Sequence, residues 1–398
     1  MSIRNQTAVV GVGRTPYYRR GQSLPQTKIE MACKAIIDAC DDAGLSVKEV
    51  DGFAYYSGGF DTALIAQTLG IPEVKFTATL TGGGGGAAAS VGLAAAGIMS
   101  GDANVVVSLM TLQQVPSARF GAAFATKGTG GYSRPTNPET DFVAPAGLFA
   151  PGQMFALLAK RHMHLYGTRR EAFAEVAIST RENGIKRPTS RFRDPITLED
   201  YFNARMISDP LCLFDYTQEN DGAAAVITTS ADRAKDLRQP PAYVVASAHG
   251  SAGRWGQSIT WMGMPDEYFA SSGHRPVAKN LYAKAGIGPE DIDVALLYDH
   301  FTPMVVMQLE DYGFAPIGEG GAFVEEGNIR FGTGKLPVNT HGGNLSEAYI
   351  IGMTHVIEAV EQVRGTAVNQ VEGAKFALAT GGPAPTPTSG LIVGKEAA

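Results

Sequence analysis

Ala43-Gly-Leu-Ser-Val-Lys-Glu-Val-Asp-Gly-Phe-Ala-Tyr-Tyr56 returns later in the chain as Ala285-Gly-Ile-Gly-Pro-Glu-Asp-Ile-Asp-Val-Ala-Leu-Leu-Tyr298. The offset between matched positions, 285 minus 43, is 242. Each copy reads as the end of an amphipathic helix at Ala-Gly, then a short acidic turn, then an apolar strand that starts after Asp51 or Asp293. A repeat on this scale implies a duplicated fold. Two such halves usually meet at a shared interface, where ligands tend to sit.

Outward from the first copy, the sequence predicts strand 8–12, helix 28–43, strand 52–56, a short helix near 63–69 and strand 74–80. A glycine run, Gly82–Gly86, then opens a helix over 87–99, and a strand follows at 103–109. The last strand of this half, 223–229, comes only after an excursion from about 113 to 217, whose length suggests a lid or binding loop. The second half repeats the order: strand 243–248, helix 276–285, strands 294–298 and 336–339, Gly342-Gly343, helix 346–363, and strands 375–380 and 390–393. Strands alternating with helices of these lengths imply a parallel sheet covered on both faces, hence the α/β class.

Composition narrows the function. A net charge of −6 without a basic stretch argues against a nucleic-acid partner. No run approaches the ~18 apolar residues of a membrane span, and the chain runs from Met1 straight into a strand with no visible signal peptide. The three cysteines, Cys33, Cys40 and Cys212, form neither a disulfide framework nor a C-x-x-C metal pair. A reducing cytoplasm is the expected compartment. The 48 glycines gather at strand-to-helix turns instead of forming a linker.

Four stretches, Asn220-Asp-Gly-Ala-Ala-Ala225, Asp299-His-Phe-Thr302, Asn339-Thr-His-Gly-Gly343 and Ala379-Thr-Gly-Gly382, accompany this architecture. Through them the chain resembles the sterol-carrier-protein branch of the thiolase superfamily over essentially its full length. The resemblance implies the thiolase fold: two β-α-β-α-β-α-β-β halves, 1–237 and 238–398, in five α-β-α-β-α layers, with a loop insertion in the first. A thiolase carries its nucleophilic cysteine at a helix N-terminus, where the macrodipole favours the thiolate. Here that position falls at Gly84. The family's catalytic histidine is replaced by Tyr349, a further histidine by Tyr298, and the second cysteine by Ala379. No side chain at these positions can carry an acyl group, so thiolysis through an acyl-enzyme is excluded.

Two histidine positions turned to tyrosine, with glycine for the nucleophile, resemble the thiolase-like aldolases that shorten steroid side chains. That resemblance implies retro-aldol cleavage of a β-hydroxyacyl-CoA to a ketone and a short acyl-CoA. One of Tyr298 and Tyr349 would take the β-hydroxyl proton and the other would protonate the enolate, provided neighbours lower the phenol pKa from about 10. Backbone N–H groups near Gly84 and Gly382 would hold the enolate oxygen. Asp299 and His300 would orient Tyr298, His341 would contact the thioester, and Arg187, Arg191 and Arg193 would grip the CoA phosphates. Loss of the cysteine would make room for a tertiary carbinol. Phe142, Phe149, Met154, Phe155 and the segment 255–264 would line a steroid pocket.

Plainer readings stand beside these. On residues alone Tyr298 is a core tyrosine with a satisfied hydroxyl, Tyr349 a core residue of an apolar helix, and Asp299 a cap. The basic run Lys186–Arg193 reads equally as a solvated loop, and His162 and His164, at i and i+2, as structural residues. A silent acyl-CoA binder and a scaffold subunit remain as alternative functions. The resemblance also implies a homodimer through the small-residue helix Ala87–Gly97 and a small OB-fold acyl-CoA-binding partner in trans. It implies no metal and no cofactor beyond the substrate's CoA.

Overall fold

The computed structural model describes residues 3–56, 60–80, 83–114, 144–148, 150–251, 270–382 and 387–396. In the first half the strands are β1 (Thr7–Arg14), β2 (Tyr18–Arg19), β3 (Gly52–Tyr56), β4 (Phe76–Leu80) and β5 (Val105–Leu112). A hairpin of β6 (Met206–Ser208) and β7 (Leu211–Cys212) precedes β8 (Asn220–Ser230). The second half contributes β9 (Ala242–Gly250), β10 (Val294–Leu296), β11 (Phe376–Gly381) and β12 (Thr388–Gly394). Hydrogen bonding runs β4-β3-β5-β8-β1 and then β9-β12-β11-β10, and the halves join where Ala8 pairs with Tyr243 and Val9 with Ala242. β3 is parallel to β4 and β5, and β10 to β11, whereas β8 and β12 run antiparallel to their neighbours. The same order read outward from the seam is the structural counterpart of the sequence repeat.

The helices are α1 (Lys28–Ala43), α2 (Thr62–Leu69), α3 (Gly86–Met99), α4 (Pro151–Tyr166), α5 (Arg170–Lys186), α6 (Leu198–Asn203) and α7 (Ala231–Ala234). They continue with α8 (Arg275–Ala285), α9 (Thr302–Asp311), α10 (Gly320–Glu325) and α11 (Met353–Arg364). α1 forms where expected because Thr27 caps it through the Glu30 amide and Gly44 ends it at φ 73°. Its buried stripe, which includes Met31, Ile36 and both Cys33 and Cys40, packs on β1 and β8. α8 covers β9 and β12 on the opposite side. α3 and α11 lie between the halves, and α3 touches strands of both. The five layers of the thiolase fold follow. None of the described helices is long and apolar enough to cross a membrane.

The sheet expected to be parallel is mixed, because β1, β8, β9 and β12 pair antiparallel, and three element expectations change. The strand predicted over 294–298 stops its ladder at Leu296, because side chains take over: Asn339 Oδ1 accepts from Leu297 N at 2.8 Å, and Thr380 Oγ1 from Tyr298 N at 2.8 Å. The strand over 336–339 reduces to one bridge, Val338 with Ala295. The helix over 346–363 is broken: residues 343–347 form a π turn, 348–352 are irregular, and α11 starts only at Met353. The excursion is also less loop-like than its length suggested. From Pro151 onward α4, α5 and α6 form a buried layer against α9, α10 and the π turn, with Phe173 and Tyr201 inside it. Phe142, Phe149 and the segment 255–264 lie outside the described residues.

Candidate active site

The site is built where the two halves meet, at the ends of β10 and β11 and the start of α3. Tyr298 and Tyr349 come together there, with hydroxyl oxygens 3.0 Å apart. Tyr298 is 1% exposed. Its backbone is fixed on both sides, since Gln308 Nε2 donates to its carbonyl at 2.9 Å while Thr380 receives its amide. Tyr349 is half-buried on the irregular stretch, not on a helix, and its amide donates to Asn220 Oδ1 at 2.7 Å.

Gly84 faces the phenol of Tyr298. A Cβ built on Gly84 would stand 2.8 Å from Tyr298 Cε2 and closer still to the hydroxyl. The space a nucleophilic cysteine would occupy is therefore filled by the tyrosine ring, so loss of the cysteine does not by itself open the expected room for a tertiary carbinol. Gly84 and Gly382 are adjacent, since a Cβ on Gly382 would come within 2.5 Å of Gly85 Cα. Both lie at the N-terminal end of α3, where the helix dipole favours negative charge. Gly382 sits at φ 86°, and its carbonyl accepts from His274 Nε2 at 2.7 Å, with the Tyr312 hydroxyl 3.1 Å from the other ring nitrogen.

The phenols are not lowered toward neutrality. Burial, and then the neighbouring Tyr349, push Tyr298 well above the usual phenol range. Burial pushes Tyr349 up to about 12, with a hydrogen bond from Tyr298 pulling the other way. Among the described residues no cation offsets this desolvation, and the upward shifts keep both phenols neutral at physiological pH.

Asp299 lies behind the pair. Its carboxylate accepts from Asn344 N at 2.8 Å and Leu345 N at 3.3 Å, and it sits 3.1 Å from His355 Nε2. It thus caps the π turn that leads to Tyr349. Gly343, at φ 60°, must be glycine because a Cβ would enter that carboxylate, 3.0 Å from Oδ1 and closer to Oδ2. His300 is buried between the rings of Tyr298 (5.1 Å), Phe301 and Phe155 (4.4 Å), and burial lowers its pKa to about 3. From His300 an aromatic wall continues through Phe155, Phe301 and Tyr216. It ends at a cavity of about 190 Å³ lined by Arg181, Phe192, Ile196, Tyr216 and Ser346. Met154 packs against the core beside that wall.

His341 does not reach the phenols. It is buried against His355, 4.8 Å ring to ring, and His355 lies between it and Tyr298. Arg187 is likewise not a solvent-facing cation. Its guanidinium is 3% exposed and binds Glu347 (2.6 Å), Glu358 (2.7 Å) and Glu361 (2.9 Å). The basic run is a brace: Arg191 N and Phe192 N pair with the carbonyls of Glu347 and Ser346, and Thr189 Oγ1 donates to Glu347 at 2.6 Å. Arg193 is exposed and donates to the Ile185 carbonyl at 3.2 Å, leaving Arg191 half-buried at the turn. His162, on α4, is held by Thr168 and Glu310.

Sequence reading missed three residues that build the site. His355 carried one signal, a lone imidazole among the buried apolar residues of α11. Asn220 stood in a quoted motif without a role, and nothing local marked His274.

Comparison with known proteins fits this geometry. Residues 257–393 match the family model described as thiolase C-terminal domain-like. The chain is 38% identical to the 17-hydroxy-3-oxo-4-pregnene-20-carboxyl-CoA lyase of Mycobacterium tuberculosis, over 98% of this chain and 100% of that one. It is also 38% identical to a steroid side-chain-cleaving aldolase of Thermomonospora curvata, with 98% of each covered. A solved structure described as the Ltp2-ChsH2(DUF35) aldolase superposes with a TM-score of 0.88 at 36% identity, covering 99% of both chains.

Proposed function

Because the chain belongs to the steroid side-chain-cleaving aldolases of the thiolase superfamily, we propose that it cleaves a carbon–carbon bond in a β-hydroxyacyl-CoA. The substrate is a steroid side-chain CoA thioester with a tertiary hydroxyl, and the products are a ketone and a short acyl-CoA. The enzyme is a carbon–carbon lyase and not a working thiolase. One observation carries the reading: the Tyr298 phenol, in contact with that of Tyr349, fills the space of the missing nucleophile. Decay of a thiolase would leave that space to unrelated small or apolar groups.

The chemistry follows from two neutral phenols in contact. One phenol accepts the proton of the β-hydroxyl while passing its own across the 3.0 Å link to the second, and the bond between the α and β carbons breaks as the β carbon becomes a carbonyl. The bond's electron pair forms the thioester enolate. Backbone N–H groups near Gly84 and Gly382 hold the enolate oxygen at the positive end of α3. In the same concerted relay the second phenol gives its own proton to the α carbon as it receives the first phenol's. Each phenol ends as it began, and because the transfers are concerted neither becomes a phenolate or a protonated phenol. Asp299 serves the step by holding the turn that carries Tyr349, and His300, neutral, packs beside Tyr298.

The cycle transfers no electrons and calls for no metal and no cofactor beyond the CoA of the substrate. A reducing cytoplasm suits the three free buried cysteines. An OB-fold, acyl-CoA-binding partner is part of the proposal, supported by the solved neighbour described as an Ltp2-ChsH2(DUF35) aldolase. A homodimer would use the exposed edge of β4, whereas the small-residue face of α3, expected to pair, is already buried against strands of both halves. The test is mass spectrometry of the chain, with and without that partner, on a steroid 17-hydroxy side-chain CoA thioester. A steroid ketone and a short acyl-CoA are expected, and the latter's mass separates propionyl from acetyl. Tight binding of the thioester with no product in either preparation would overturn the lyase in favour of a silent binder.

A further inference from the structure

A CoA thioester brings phosphates that need cations, yet most basic side chains around Tyr349 are already committed. Arg187 is saturated by three carboxylates, and Arg14 reaches Glu361. Arg20 pairs with Glu219 at 3.1 Å, and Arg181 donates to Ser346 Oγ and to the Asp194 carbonyl. Arg19 and Arg191 are different. Among the described residues neither has a carboxylate within ion-pair distance. Arg191 has a buried Nε without an acceptor, and its Nη1 makes only a long 3.4 Å contact with the Tyr17 carbonyl.

The backbone brings both to the turn that carries Tyr349. Arg19, exposed on β2, pairs across from Asn220, the residue that receives the Tyr349 amide. Arg191 donates its own amide to the Glu347 carbonyl at 2.8 Å. Contact of Arg191 with Tyr17 places its guanidinium beside the strand that carries Arg19. The charge of Arg19, after burial, disfavours the charged form of Arg191, as expected for neighbouring cations without a counter-ion. Such a pair is unfavourable when empty and gains two charge-assisted, fork-shaped contacts when an anion arrives.

We infer that Arg19 and Arg191 form the phosphate-binding site for the CoA half of the substrate, next to the turn that carries Tyr349. The inference rests on the acyl-CoA reading above and replaces Arg187 with Arg19 in the expected set of CoA-binding arginines.

The test uses the full chain, the variants Arg19→Gln, Arg191→Gln and the double variant, and three probes. These are the steroid CoA thioester, the matching pantetheine thioester that lacks the nucleotide phosphates, and adenosine 3′,5′-bisphosphate. Each single substitution should lower the ratio of kcat/KM for the CoA thioester to that for the pantetheine thioester about tenfold, the size of one charge-assisted contact. The bisphosphate Kd should rise by a similar factor, and more in the double variant. Arg19 is exposed, so Arg19→Gln tests the site even if Arg191→Gln disturbs the turn. Equal losses with both thioesters, or bisphosphate binding that is absent in wild type or unaltered in the double variant, would overturn the inference. If neither thioester yields ketone the proposed reaction fails, and the bisphosphate titration still decides the arginines.

Discussion

Tyr56 and Tyr298 occupy the same place in the duplicated architecture, 242 residues apart, and they do different work. Tyr56 ends β3 and Tyr298 lies two residues past β10; each is buried, and each reaches across the seam into the other half. Tyr56 finds a backbone acceptor there and donates to the Ile351 carbonyl at 3.1 Å. Tyr298 meets a glycine there, Gly84, and its hydroxyl turns to a phenol of its own half, Tyr349, at 3.0 Å. What each tyrosine does is therefore set by what meets its hydroxyl. The turn of Tyr349 is also supported from both halves. Asp299, Asn220 and the carboxylates around Arg187 hold the turn of Tyr349, whereas the glycine run before α3 passes almost directly into the helix.

The comparison is broken most easily at the phenols. Tyr298→Phe and Tyr349→Phe should each cost about 10²–10⁴-fold in kcat, the range for a positioned proton-transfer group, with near-native thermal stability. Steady-state kinetics beside a melting curve would show it; full turnover in either variant would make Tyr298 another Tyr56. Next in size is Arg187→Met, which leaves buried carboxylates without their cation and should cost about 3–5 kcal/mol of stability. Urea unfolding reads this directly, and an unchanged midpoint with weakened CoA-thioester binding would restore Arg187 as a phosphate ligand. Gly84→Ala adds a methyl where the Tyr298 ring stands. Overpacking of this kind costs about 1–3 kcal/mol, and turnover should fall toward the Tyr298→Phe level as the ring is displaced from Tyr349.

Acid sharpens the contrast, because buried imidazoles cluster in the second half. The folded-state values of His300 and His274, about 3 and about 4, lie below the unfolded value near 6.5. Their stability contribution is complete above pH 6.5 and is lost as pH falls through that value toward 4 and then 3. Each should contribute a slope of about 1.4 kcal/mol per pH unit over its window. Denaturant titrations from pH 7 to pH 4 would detect it; a flat profile would mean that these rings are charged in the folded protein. The smallest effect is expected from Tyr56→Phe, which removes one neutral hydrogen bond worth about 0.5–1.5 kcal/mol and should leave turnover at the wild-type level.

Much of this was legible in the residues. The repeat set the two halves, α1 and β3 fell where periodicity and capping placed them, and the thiolase-like motifs led to Gly84, Tyr298 and Tyr349. The misses have one cause. The helix expected from Ser346 is opened by Asp299, which binds the amides of Asn344 and Leu345 from 45 positions away, and by Arg187, which draws Glu347 outward. The arginines looked alike in a basic run, yet one is buried among three glutamates, one is half-buried and one is exposed. Nothing in local pattern separates such fates.

The sequence by itself determined the class of fold and the absence of an acyl-carrying nucleophile, because periodicity and residue chemistry are local properties of the chain. Only the tertiary structure decided that the cysteine's vacated space belongs to the Tyr298 phenol, that the two phenols touch, and which arginines keep their charge available. Those outcomes depend on desolvation and on contacts between residues tens to hundreds of positions apart, and neither exists until the chain has folded around the site.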